Sequence, residues 1–185
     1  VHRLDKMTSG LLIFAKTSES AKIFGELFKA HKVEKYYLAI SDKKPTKKQG
    51  LIKGDMAKSR RGMFKLMRTM DNPAITQFFS YNIGNKRRLY LLKPHSGKTH
   101  QIRVALSSIG APILGDPLYD SNSKGRSSSV VDRGYLHAYA LRFEFLGKRY
   151  EFMLPPSEGD FYLSDSFKEK LEEIKQPWLL NWPKL

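Results

Sequence analysis

Apolar residues recur every third or fourth position at Ile23, Phe24, Leu27 and Phe28, the spacing of a single helix face. Ser18 stands just ahead of that face with an N-cap side chain. Lys29, His31 and Lys32 crowd its far end, where the helix dipole favours cations. The pattern predicts a helix from Ser18 to about His31. A second helical pattern over residues 99–109 puts Ile102, Leu106 and Ile109 on one face, with Gly110 as the stop. A third helix, over residues 164–175, precedes an apolar tail that holds Trp178 and Trp182.

Strand patterns are more numerous. Residues 10–16 read as a buried strand, and residues 33–40, with adjacent Tyr36 and Tyr37, as another. Residues 74–81 and 88–93 add two more. Leu141, Phe143 and Phe145 alternate with polar positions, as do Tyr150, Phe152 and Leu154, across a turn at Gly147-Lys148; that is a hairpin. Residues 43–50 form a polar loop, and residues 51–68 form irregular strands and turns. Residues 120–134, rich in serine and poor in apolar side chains, read as a mobile loop. No repeat or linker divides residues 1–185, so a single domain is expected. Strands outnumber helices and follow one another closely. The fold class is therefore α+β, with a mixed, mostly antiparallel central sheet and flanking helices.

Composition narrows the function classes. The 185 residues, 41% hydrophobic, are enough for one core. There is no cysteine, and the five histidines are scattered. A disulfide framework and the usual zinc patterns are therefore excluded, and no metal is expected. No apolar run approaches the ~20 residues needed to span a bilayer, and the first residues do not resemble a signal peptide. A soluble, cytoplasmic protein with no membrane contact is the expectation.

The net charge of +15 is concentrated. Residues 43–103 carry 16 Lys/Arg against two acids, Asp55 and Asp71, while the rest of the chain carries 17 against 16. A one-sided basic surface attracts a polyanion by releasing its counterions. Phe64, Phe78, Phe79, Tyr81 and Tyr90 lie in the same segment and favour nucleic acid over a membrane surface, since no basic amphipathic helix stands out.

Candidate chemistry begins at residues 2–10, His-Arg-Leu-Asp-Lys-Met-Thr-Ser-Gly. Asp5 follows Arg3 by two positions, ahead of a glycine-terminated turn into an apolar run. Burial raises a carboxyl pKa and a nearby cation lowers it, so such an acid is tunable. Taken alone, the pattern fits a structural ion pair better than a catalytic acid. Three further segments change that: Lys35-Tyr36-Tyr37-Leu38-Ala39, Ser96-Gly97-Lys98-Thr99-His100-Gln101-Ile102-Arg103-Val104, and Gly115-Asp116-Pro117-Leu118-Tyr119.

In order and spacing this set closely resembles the RluA-type family of RNA pseudouridine synthases, from residue 2 to about 155. The resemblance implies the pseudouridine synthase catalytic fold and the isomerisation of uridine in RNA. The N1–C1′ bond breaks, the uracil rotates, and C5 bonds to C1′. It implies Asp5 as the essential acid, either attacking C1′ or taking the C2′ proton to give a glycal; sequence does not choose between them. No cofactor is required. Arg103 matches the arginine that pairs with that aspartate, although one more phosphate-binding cation is the alternative. Tyr37 matches the active-site tyrosine, with Tyr36 on the opposite strand face as a core residue; a one-residue register error would exchange them.

The resemblance also implies base flipping, with Arg3 filling the gap left by the base and His2 contacting the nearby backbone. For His2 a structural hydrogen bond is the alternative. Lys98, Thr99, His100 and Gln101 are expected at the cleft rim, and Lys58, Arg60 and Arg61 on the RNA-binding surface. The partner implied is a stem-loop of ribosomal or transfer RNA, bound by a monomer. Asp116 and Tyr119 are expected to serve structure.

Two positions and one segment depart from the family pattern. Lys98 replaces the usual arginine and Ala105 stands where histidine is usual; the strand pair and lysine-proline motif that normally precede the His-Arg-Leu-Asp segment do not stand ahead of it here, so a domain truncated at its N-terminus is expected. Two rival readings are a non-catalytic RNA-binding module and, more remotely, a glycosidase-like enzyme. The second needs two carboxylates, for which only Asp5 and an outlying Asp116 are available.

Overall fold

Ten residues of one strand, β8 (Leu136–Phe145), organise the sheet, because three other strands pair with it. The computed structural model describes residues 1–121 and 131–185. Along one edge of β8 runs β2 (Glu34–Ser41), antiparallel. The other edge is shared: β1 (Thr8–Gly10) pairs in parallel with residues 136–138, and β9 (Lys148–Met153) pairs antiparallel with residues 140–145. Beyond β2 lie β7 (Arg88–Pro94), β6 (Ala74–Asn82) and β3 (Gln49–Gly54), each antiparallel to its neighbour. The seven-stranded sheet is thus mixed and mostly antiparallel, as expected. The expected hairpin is β8–β9, closed by Leu146 and Gly147, both at positive φ.

The central strands are buried on both faces. Leu38, Ala39 and Ile40 in β2, and Leu89 through Leu92 in β7, are consecutive and fully buried, which a strand achieves only when both sides are covered. Helix α2 (Gln101–Ser108) packs on β6 and β7. The C-terminal segment adds helix α3 (Asp165–Glu173), then brings Trp178 and Trp182 against Tyr36, and Trp182 against Phe79. Helix α1 (Ser18–Lys29) covers a smaller cluster of Phe24, Val33, Leu141 and Phe143. Its cap is Thr17, one residue before the expected Ser18. The Thr17 hydroxyl accepts from the Ser20 amide while the Ser20 hydroxyl accepts from the Thr17 amide.

Two expectations are corrected. The strand expected over residues 10–16 is instead β1, which ends where that run begins. Gly10 has φ +113, and a side chain there would strike the Ala138 carbonyl. Beyond it Leu11 and Ile13 turn toward the α1 cluster, while Leu12 and Phe14 face outward, Phe14 being 80% exposed. The apolar run is a one-sided edge segment, not a buried strand. The helix expected from residue 99 begins at Gln101, because His100 sits in the left-handed region at φ 57. The irregular stretch 51–68 resolves into the end of β3 and a separate two-stranded ribbon, β4 (Met56–Lys58) and β5 (Phe64–Leu66), joined by a 3-10 turn at Arg60–Gly62. Most of the serine-rich stretch lies at 122–130, outside the described residues.

Candidate active site

The segment before β1, the start of β2, the loop after β7 and the first turns of α2 converge on one cavity of about 480 Å³. Asp5 is set by a tight turn in which its carbonyl accepts the Thr8 amide at 2.8 Å. Its side chain keeps 22% of its surface exposed, whereas Arg103 keeps 6%. The Arg103 Nη1 donates to Asp5 Oδ2 at 3.4 Å. That contact is the weaker of two. Nε and Nη2 of Arg103 donate to the two oxygens of Asp116 at 2.7 and 2.8 Å, and Asp116 is fully buried. The Leu118 and Tyr119 amides, at 2.9 and 3.2 Å, fix Asp116 within its turn.

The guanidinium is therefore anchored from behind by Asp116 and offers its remaining edge to Asp5. Burial works against its charge, but the hydrogen bonds and charge of Asp116, joined by Asp5, hold Arg103 protonated above its ordinary range. With Asp116 committed in this way, the second carboxylate of a glycosidase-like reading falls away.

Tyr37 lines the same cavity. A bulge between Tyr36 and Tyr37 shifts the pairing with β8, the device by which strands re-aim a side chain. Tyr36 is buried and donates to Glu34 Oε2 at 3.0 Å, whereas no hydrogen bond engages the Tyr37 hydroxyl among the described residues. Burial, and then the negative charge of Asp5, push the Tyr37 phenol up to about 12. It is a neutral hydroxyl at neutral pH.

The remaining expected residues divide. His2, Arg3, Lys98, Thr99, His100 and Gln101 all line the cavity, but not all are available to a ligand. The His2 ring stacks on Phe28 at 4.8 Å, and its Nε2 accepts the Ile13 amide at 2.9 Å. Burial first, then the Lys35 ammonium, lower it to about 4, so it is neutral. His2 thus has the structural role that was its alternative. Gln101 is buried and fully satisfied: it accepts from Ser96 and from the Lys98 amide and donates to Ile75 and Thr76. It pins the 96–101 loop to β6. The Lys98 ammonium contacts the Asn72 carbonyl. Arg3 and Thr99 are exposed at the cavity. Lys58, Arg60 and Arg61 do not line it; they stand exposed on the β4–β5 ribbon.

Sequence reasoning underrated Asp116 and overlooked Lys35. A buried arginine has five N–H donors, more than one half-open aspartate can satisfy, and that shortfall was the available signal for Asp116. The Lys35 ammonium donates to the Ser96 carbonyl at 3.2 Å, and burial lowers its pKa. Among the described residues no group of His, Cys, Asp and Glu is arranged to hold a metal ion.

Comparison with known proteins agrees with the geometry. A family model described as RNA pseudouridylate synthase matches residues 1–108. A Haemophilus influenzae protein named as an uncharacterized RNA pseudouridine synthase is 51% identical over 180 residues, which cover 97% of this chain and 78% of that protein. The ribosomal large subunit pseudouridine synthase C of Rickettsia bellii is 39% identical over 142 residues, 75% of this chain but 46% of that protein. Among solved structures, human RNA Pseudouridylate Synthase Domain Containing 1 superposes with a TM-score of 0.72 at 25% identity, over 95% of this chain and 79% of that one.

Proposed function

The chain belongs to the RNA pseudouridylate synthase family, and we propose that its Asp5, Tyr37 and Arg103 isomerise an everted uridine of a structured RNA. One observation carries this: a half-open carboxylate, 3.4 Å from a buried guanidinium, faces a cavity whose wall includes Tyr37. At about 480 Å³ the cavity lies within the usual range of roughly 300–1,000 Å³ for small-ligand sites. A uracil ring inside it is cut off from its stack.

In this scheme Asp5 either bonds to C1′ as the N1–C1′ bond breaks or removes the C2′ proton. Arg103 holds the carboxylate's rotamer, with Asp116 fixing Arg103 in turn. The Tyr37 ring supports the uracil. Once C5 has bonded to C1′, its proton must leave. A neutral phenol can take that proton only by passing its own onward, and Asp5, whose charge already reaches Tyr37, is the recipient we assign. Arg3, exposed at the mouth, fills the space of the flipped base. A monomer is the proposed acting unit. The relatives' names make large-subunit ribosomal RNA the first substrate to test, with transfer RNA second. No helix among the described residues is long and apolar enough to cross a membrane, and we place the protein with its RNA in the cytoplasm.

Release of tritium from transcripts carrying 5-tritiated uridine reports loss of the C5 proton and tests the reading. RNA binding without any release would favour the non-catalytic module. Tyr37→Phe keeps the ring and loses the relay. It should bind RNA within about twofold of wild type and release tritium about 10²-fold more slowly, the scale of general acid–base catalysis. Full turnover by that variant rejects the assigned role. Reversing Lys58, Arg60 and Arg61 to glutamate should weaken binding and lower the slope of log affinity against log salt by about one per lost phosphate contact. An unchanged slope puts the RNA surface elsewhere.

A further inference from the structure

Tyr119 touches the ribbon, the cavity wall and the Arg103 guanidinium at once. Its hydroxyl accepts the amide of Phe64, the first residue of β5, at 2.8 Å. The same hydroxyl shares a hydrogen bond with His100 Nδ1, 3.0 Å away, whose direction follows the His100 tautomer. Its ring lies 5.1 Å from the Arg103 guanidinium carbon, and its amide caps Asp116, which clasps the same guanidinium. The Phe64 ring meets His100 edge-on at 5.6 Å. Phe64 pairs in register with Lys58, directly beside the turn that carries Arg60 and Arg61. The ribbon has no ladder to the main sheet, and two strands alone are marginally stable. Leu66 packs on the core and β5 lies against α2, and the Phe64–Tyr119 bond holds the start of the strand.

We propose that Tyr119 is a positioning residue that couples RNA held on the β4–β5 ribbon to the Arg103–Asp5 pair, so that phosphate contacts there raise the rate of the chemical step as well as affinity. This rests on the proposed function. RNA drawn onto Arg60 and Arg61 loads the ribbon, and the load reaches the Tyr119 hydroxyl through the Phe64 amide. From Tyr119 it passes by ring contact and through Asp116 to the guanidinium that orients Asp5.

The test is a double-mutant cycle read as single-turnover tritium release at saturating RNA, with Tyr119→Phe and Arg61→Glu made separately and together. Tyr119→Phe alone should slow release about tenfold with RNA affinity within about twofold, since it removes the hydroxyl and keeps the ring. Arg61→Glu should slow release about fivefold in wild type and less than about twofold in the Tyr119→Phe background. Each cost is a ratio within one background, so a general loss of folded protein cancels. Equal costs in the two backgrounds overturn the coupling, as does an Arg61→Glu effect confined to affinity. Wild-type protein that releases no tritium would instead sink the reading of function beneath it, a result distinct from equal costs.

Discussion

Asp5→Asn is expected to abolish tritium release while leaving RNA affinity within about threefold of wild type. The substitution is nearly isosteric, so the turn closed by the Thr8 amide survives. What disappears is the charge. An amide neither attacks C1′ nor removes a C2′ proton, and loss of a nucleophile costs far more than loss of one hydrogen bond, on the order of 10⁴-fold or more. Affinity should hold because the cations proposed to bind phosphate lie elsewhere, on the exposed ribbon and at the cavity rim. The Arg103 guanidinium stays neutralised by Asp116, so the variant leaves no buried charge unpaired and folds normally. Measurable turnover by purified Asp5→Asn protein would remove Asp5 from the chemistry under either mechanism.

Arg103→Met is expected to damage stability and activity together, in separable ways. Removing the guanidinium takes from the fully buried Asp116 its two-pronged donor, and breaking one partner of a buried pair costs about 3–5 kcal/mol. Neutralising both partners, in Arg103→Met with Asp116→Asn, removes the imbalance and should recover most of that loss. Turnover should stay at least about 10²-fold down in both variants, because neither orients Asp5. Arg103→Lys separates charge from shape. An ammonium cannot reproduce the fork that grips Asp116 while reaching Asp5, so turnover should still fall by about 10²-fold with a smaller loss of stability. Denaturant midpoints and single-turnover rates on the four proteins check this. A double variant that regains activity along with stability would reduce Arg103 to a structural role.

The central sheet was legible because β2, β6, β7 and the β8–β9 hairpin carry patterns that only strands satisfy, and the α1 face repeats at helical spacing. Residues 10–16 misled because an apolar run does not say whether one side or both are covered; the close approach of Gly10 to β8 decided it. The ribbon was illegible because its strands are three residues each, too short for alternation to register. At the site, Asp5, Tyr37 and Arg103, which motif spacing picked out, line one cavity. The same motif placed Gln101 and His2 among RNA contacts, whereas the Gln101 amide and the His2 ring are engaged within the protein. A motif marks positions that matter without saying whether they face a ligand or hold those that do. Asp116 shows the reverse: it looked like turn chemistry, and it is, but the turn presents a carboxylate to Arg103, which reaches Asp5.

The most direct measurement is a crystal structure of the Asp5→Asn protein bound to a uridine-containing stem-loop. The target uridine should be out of its helix, with its C1′ or C2′ about 3–3.5 Å from the residue-5 side chain and its uracil against the Tyr37 ring. A uridine still stacked in the duplex, or seated outside the Asp5 cavity, would contradict the account.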